Sequence, residues 1–259
     1  MLEDFWRRYK KSRVAVAGLL LFTPLVLLAL LSPYIAPYDP MSTKGQPLLP
    51  PNLYSANTFG TDDLGRDILS RTVFGARTSL MVGFAAIAVS STIGILVGCI
   101  SGYFGGRSDE ILMRVTEVFQ VIPRFFLALI LLFVAGPSII TVIGVIGVLS
   151  WPSTARLVRA EFLSLKEREF TEAARAIGKS DPSIIFGEIL PNALHPVIIN
   201  SSLEIPHAIL IEAALSFMGV GDPTAVSWGQ MLQKAMPYLR DAWWMAVFAG
   251  LPIFLVVLA

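Results

Sequence analysis

Beside three serines, the otherwise apolar run from Val197 to Met218 carries one amide and three ionisable side chains: Asn200, Glu204, His207 and Glu212. Spacings of four and three residues put the first three on one helical face, and Glu212 follows two turns after Glu204 at a modest angular offset. Carboxylates and an imidazole so placed can line a hydrated path or relay protons, because ionisable groups at such depth normally face a bundle interior or a water-filled cavity. Static lining or helix packing and direct substrate contact both remain open for them. Other apparent sites do not hold. Gly178-Lys179-Ser180 ends like a phosphate-binding loop, but Ala173 stands where that loop needs glycine and no strand precedes it, so the chain is not expected to bind ATP. His195 and His207 lie twelve residues apart with no cysteine near, which argues against a metal site. The single cysteine, Cys99, allows no intramolecular disulfide and reads as a small buried thiol in an apolar run. Asn200-Ser201-Ser202 has the form of a glycosylation sequon but falls within a span.

The second stretch with functional character runs from Glu172 to Asn192 and is polar between two apolar segments. Glu161 to Ile177 is rich in good helix formers and predicts a helix. Gly178 suits its C-terminal stop, with Arg175 and Lys179 close to the negative end of the helix dipole. Asp181 can cap a second, short helix with Pro182 at its first position, and Pro191 is expected to end it. The pattern is a helix, a glycine corner and a helix; its plain alternative is an amphipathic helix lying on the membrane surface.

The elements that must position these residues are membrane spans. In 259 residues, 54% are hydrophobic, 15% are charged and the mean hydropathy is +0.67, values that define an integral membrane protein. A net charge of +1, with basic residues segregated by loop, gives no nucleic-acid footprint. Phe5 to Arg13 forms a basic and aromatic lead-in, and Val14–Leu31 a first span with no convincing signal cleavage site after it. A proline-rich extracytoplasmic loop then runs to Arg77 and closes the N-terminal part, residues 1–77. The core, residues 78–259, holds spans at Leu80–Ile100, Ile111–Ala135, Ser138–Val158 and Val197–Met218, the polar loop 159–196, and a sixth span from Ala242.

Gly94, Gly98 and Gly102 form a stripe suited to close helix contact, and Arg114, Glu117, Gln120 and Arg124 precede the apolar part of the third span. Trp151-Pro152 marks an interface or a kink. Thr61 or Asp62 is expected to cap the helix that follows, with Asp67 and Arg71 paired at i,i+4. Thirteen basic residues fall on the side of the N-terminus and six on the other, so the N-terminus and the polar loop are expected in the cytoplasm. The sixth span breaks off at Ala259, and the chain is expected to continue beyond it.

Glu172, Ala173, Ala174, Gly178 and Ile189, Leu190, Pro191 together resemble the cytoplasmic Glu-Ala-Ala loop of ABC-importer permeases. Gly60-Thr61-Asp62 with Gly65-Arg66-Asp67 is similar to an element of the C-type subunit in the dipeptide, oligopeptide and nickel branch. Glu212-Ala-Ala-Leu-Ser-Phe-Met-Gly219 and Ser227-Trp228-Gly229 look like the same branch, with Met218 in place of a leucine. The resemblance covers almost the whole chain from Val14. It implies an all-α membrane protein of six transmembrane helices, like type I ABC importer permeases, with a cytoplasmic helix-turn-helix coupling insert. It implies a non-catalytic subunit of a prokaryotic plasma-membrane importer for peptides or nickel chelates, working by alternating access. The implied partners are a second homologous permease, two ATPase subunits that carry ATP and magnesium, and an extracytoplasmic substrate-binding protein. No cofactor is expected on this chain itself. The competing reading is a proton-coupled secondary transporter using Glu204, His207 and Glu212, which leaves the Glu-Ala-Ala insert without a purpose.

Overall fold

The computed structural model describes residues 12–259, and the lead-in from Phe5 to Lys11 lies outside the described residues. Among the described residues the regular structure is helical; the one β-type contact is an isolated bridge between Thr61 and Asp67. Four helices are long and apolar enough to cross a membrane: α1 (Arg13–Leu30), α3 (Ile68–Phe104), α6 (Ile139–Leu165) and α8 (Asp181–Phe217). Helices α4 (Gly106–Val121) and α5 (Arg124–Ala135) pass the same test only as a pair, bent by 87°. Short helices α2 (Ser32–Ile35), α7 (Glu169–Ala176) and α9 (Trp228–Ala235) connect them, and α10 (Trp243–Leu258) is apolar but only 16 residues long. A count of six spans therefore requires both the bent pair and α10 to cross.

Several local expectations are corrected. The third span is not one straight helix: Ile122 is extended (φ −85°, ψ 128°), as a residue before proline prefers, and Pro123 restarts the chain in a new direction. Pro191 does not end a helix either. A π-helical turn at Ile185–Ile189 lies directly before it, and this wider turn makes room for a ring that would crowd the preceding carbonyls of an α-helix. The helix predicted over 161–177 breaks after Leu165, whose carbonyl accepts from the Arg168 N–H (3.2 Å) and the Thr171 hydroxyl (2.9 Å) instead of a continuing helix. Trp151 is buried, edge-to-face with Phe119, so it does not mark an interface.

Residues fall into two compact units. One comprises the described residues up to Val82 with Pro137–Ile139 and Ile209–Ala259; the other comprises Gly83–Gly136 with Ile140–Ala208. In the first, α1 packs on α10, and Trp228 is fully buried. Its indole N–H donates to the Thr72 carbonyl (3.0 Å), and a Cβ at Gly75 would stand 2.7 Å from its ring. In the second unit the glycine stripe works within the chain. A Cβ at Gly94, Gly98 or Gly102 would come within about 2.6 Å of Thr154, Ala155 and Val158, or Phe162, so glycine lets α3 and α6 touch backbone to backbone. Arg159 of α6 grips Asp109 of α4 through two nitrogens, and Ser101 of α3 donates to the same carboxylate.

Candidate functional site

The insert hangs on the second unit's core, where Cys99, Tyr103, Val158 and Phe162 meet Ala174, Ile184, Ile185, Ile189, Ala193 and Val197. Eight residues of α7 make two turns with a polar and an apolar side: Thr171 and Ala174 face in, Glu172, Ala173, Arg175 and Ala176 face out. Gly178 closes the helix as its sequence position suggested. It takes φ +77°, its N–H bonds the Arg175 carbonyl (2.9 Å), and the Lys179 N–H reaches back to Ala174 (3.1 Å), a Schellman closure. A Cβ there would meet nothing within 4 Å, so the backbone conformation alone asks for glycine.

Across the corner Ser180, not Asp181, occupies the N-cap position of α8, with Pro182 in the first turn. Asp181 instead accepts from the Tyr103 hydroxyl (2.6 Å), and the Arg175 guanidinium lies 5.5 Å from the centre of the same ring. Tyr103 thus ties both arms of the corner to the end of α3. The motif residues divide between two jobs. Ala174 and Ile189 are buried anchors and Leu190 is half-buried, whereas Glu172, Ala173, Gly178 and Pro191 lie on the surface beside exposed Ile177 (75%) and Phe186.

The polar residues of α8 have different environments. Asn200 donates to the Thr154 hydroxyl (3.4 Å) and Glu204 accepts from Ser153 (3.3 Å), so both reach α6. Glu204 also stands 3.6 Å from Arg124, the first residue of α5, with both side chains partly exposed. His207 is exposed. In the first unit Glu212 is buried and accepts from Ser79 (3.1 Å) and Ser216 (2.7 Å). Arg124 was visible in sequence only as one of several charges before an apolar run, and nothing in the local pattern pointed to Ser79.

The loop motif of the first unit is a buried knot. Asp62 accepts from the Leu64 and Arg66 N–H groups and from Arg66 Nε (2.6 Å), with Arg71 Nε at 3.6 Å. Arg71 therefore pairs with Asp62, not with Asp67, and Asp67 is the residue that caps α3, accepting from the Ser70 N–H (2.8 Å) and from Asn57 (2.9 Å). Thr61 donates to the Gln46 carbonyl (2.6 Å) and accepts from Leu49 N–H. Arg71 is 1% exposed and also bonds the Pro40 carbonyl, 2.9 Å away.

Beside the knot, a cavity of about 140 Å³ opens between the end of α8, the following turn and α9. Burial would raise the Asp222 carboxyl there, but hydrogen bonds from Thr224 and from the Ile139 and Ala225 N–H groups outweigh it and hold the group below its ordinary range. Lys234 is pulled below its ordinary value by burial and by Arg66 and Arg71, against the opposing pull of Asp62 and Asp63.

The fold is that of a helical membrane protein that presents one face of a polar insert outward. The chain belongs to the family described as the binding-protein-dependent transport system inner membrane component, which matches residues 94–259. Residues 1–51 match the N-terminal TM domain of oligopeptide transport permease C. The chain is 36% identical over its whole length to the di/tripeptide transport system permease protein DppC of Pseudomonas aeruginosa, covering 87% of that protein. It is 35% identical to the oligopeptide transport system permease protein OppC of Bacillus subtilis, over 95% of this chain and 81% of that one. Among solved structures it shares the fold of a chain of the MetNI methionine ABC transporter, with a TM-score of 0.57 and 21% identity over 73% of this chain and 89% of that one.

Proposed function

We propose that this chain is a membrane subunit of an ATP-driven importer of di- or oligopeptides, with nickel chelates as the other substrate class of its branch. Its reading as a peptide permease is supported by the names of its relatives at 35 to 37% identity across nearly the whole chain. In this reading it crosses the inner membrane six times with its N-terminus in the cytoplasm. It pairs with a second homologous permease, docks two ATPase subunits through the insert, and receives substrate from an extracytoplasmic binding protein. The chain itself is non-catalytic, and ATP and magnesium belong to the ATPases.

The observation that carries the coupling role is the divided motif. Ala174 and Ile189 fasten the insert to α3 and α6, while Glu172, Ala173 and Gly178 are presented outward beside exposed apolar side chains. Nucleotide shifts the permease only if the insert contacts the ATPases differently in their two states. Asn200, Glu204, His207 and Glu212 remain the candidate pathway residues, with Arg124 added as the ion-pair partner of Glu204.

The test is a gentle detergent pull-down of wild type and of a Glu172→Lys, Gly178→Pro double variant from native membranes, with mass identification of what accompanies each. Recovery of a second permease and ATPases with wild type, and loss of the ATPases alone in the variant, is the expected result. Wild type recovered without any ATPase would move the proton-coupled reading to first place, and an uncoupler would then be expected to abolish uptake.

A further inference from the structure

We propose that the cavity between the end of α8 and α9 binds the free C-terminal carboxylate of the transported peptide through Lys234 and Gln233. The inference rests on the peptide-importer reading and adds to it a site and the substrate group that the site recognises.

The cavity measures about 140 Å³, against roughly 300–1,000 Å³ for a pocket that encloses a whole ligand, so it accepts an end group and not an entire peptide. Most of its polar lining is already engaged. The Ser216 hydroxyl donates to Glu212, and the Gln230 amide donates to the Asp222 and Pro223 carbonyls while its oxygen faces Arg71. The Asp222 carboxylate accepts from the Thr224 N–H and hydroxyl and from the Ile139 N–H.

Two lining side chains, the Lys234 ammonium and the Gln233 carboxamide, have no hydrogen-bond or ion-pair partner among the described residues. An ammonium offers three donors and an amide two, which suits the two oxygens of a carboxylate. Arg66 and Arg71 add to the positive field at Lys234, Asp62 and Asp63 offset part of it, and burial strengthens what remains by thinning the surrounding water. A neutral end group would leave the Lys234 ammonium without an ion-pair partner.

A carboxylate terminus is common to peptides whatever their side chains. A site that reads only this group would hold the end of a peptide without selecting its sequence, as a carrier of varied peptides requires. By the distribution of basic residues the loop after α8 faces outside, the side from which substrate arrives.

The experiment measures ATP-driven uptake by the whole complex with its binding protein, reconstituted in proteoliposomes. Each tripeptide is supplied both as the free acid and as the C-terminal amide, to wild type, Lys234→Gln and Lys234→Arg. Preference exerted by the binding protein is the same in all three and cancels in the comparison. Losing a hydrogen-bonded charge should lower kcat/KM for the acid by roughly 10-fold in Lys234→Gln, with the amide changed less than about 2-fold and Lys234→Arg retaining most of the acid preference.

Equal losses for acid and amide in Lys234→Gln, or no loss for either, would overturn the proposal. So would a carbodiimide cross-link from Lys234 to an acidic side chain of the binding protein accompanied by equal losses, which would assign the cation to docking. Absence of peptide uptake by wild type would instead sink the peptide-importer reading itself, an outcome separate from any difference between variants.

Discussion

The loop knot before α3 and the insert between α6 and α8 each carry a compact motif with a glycine at positive φ, yet they use their residues in opposite ways. In the knot every charged motif residue is spent inward: Asp62, Arg66, Asp67 and Arg71 are all buried and bonded to one another or to the backbone. In the insert only the small and aliphatic members turn inward, and the charged ones stay in solvent. The lesson is that a motif's density of polar residues does not say whether it holds a fold or presents a surface. Burial decides, because a buried charge must be paired where an exposed one need not be.

The contrast makes predictions of decreasing size. Asp62→Ala leaves buried Arg66 with only its longer contact to Asp63 (3.5 Å) and buried Arg71 with neutral partners alone, and should cost about 3–5 kcal/mol, as breaking a buried pair does, abolishing recovery of folded protein on a size-exclusion column. Gly65→Ala and Gly178→Ala pose the same backbone problem, with φ of 75° and 77°. A Cβ at Gly65 overlaps the Gly45 carbonyl and one at Gly178 meets nothing, so the first should prevent folding while the second lowers thermal stability by only about 1–2 kcal/mol. If both variants melt alike, the division between knot and insert fails.

Tyr103→Phe keeps the ring beneath Arg175 and removes the hydrogen bond to Asp181, at a cost of about 1–2 kcal/mol. Its expected signature is a lower ratio of peptide imported to ATP hydrolysed with the complex still assembled; an unchanged ratio would show that the corner needs no clip. Smallest of all, Glu172→Lys should move the melting temperature of the isolated chain within the error of the measurement, since exposed substitutions usually stay within about 0.5 kcal/mol. A large destabilisation would mean that Glu172 carries fold and not surface.

Much of the site was legible because local rules act locally. Gly178 as a helix stop follows from the few residues around it, and the Schellman bonds realise it. The glycine stripe of α3 was visible as a contact face, though not that α6 fills it. Misreadings cluster where two conformations are close in energy and packing chooses. Pro191 read as a stop because proline opposes helix interiors, but a π turn costs little once Ile184, Ile185 and Ile189 can all be buried by it. Arg71 read as the partner of Asp67 because i,i+4 is the nearest choice in sequence. In the fold Asp67 is taken by Ser70 and Asn57, and the loop brings Asp62 to the arginine.

The sequence by itself determined that this is a helical membrane protein, where its apolar segments lie, and that a polar insert with a glycine corner separates two of them. Those properties depend on hydrophobicity and on neighbours within a few residues, which composition and spacing express directly. Only the tertiary structure decided which motif residues are anchors and which are surface, which carboxylate each arginine meets, and that Lys234 is left with an open cavity before it. These depend on contacts between residues far apart in the chain, such as Arg71 with Gln230 or Tyr103 with Asp181, and no local pattern encodes such meetings.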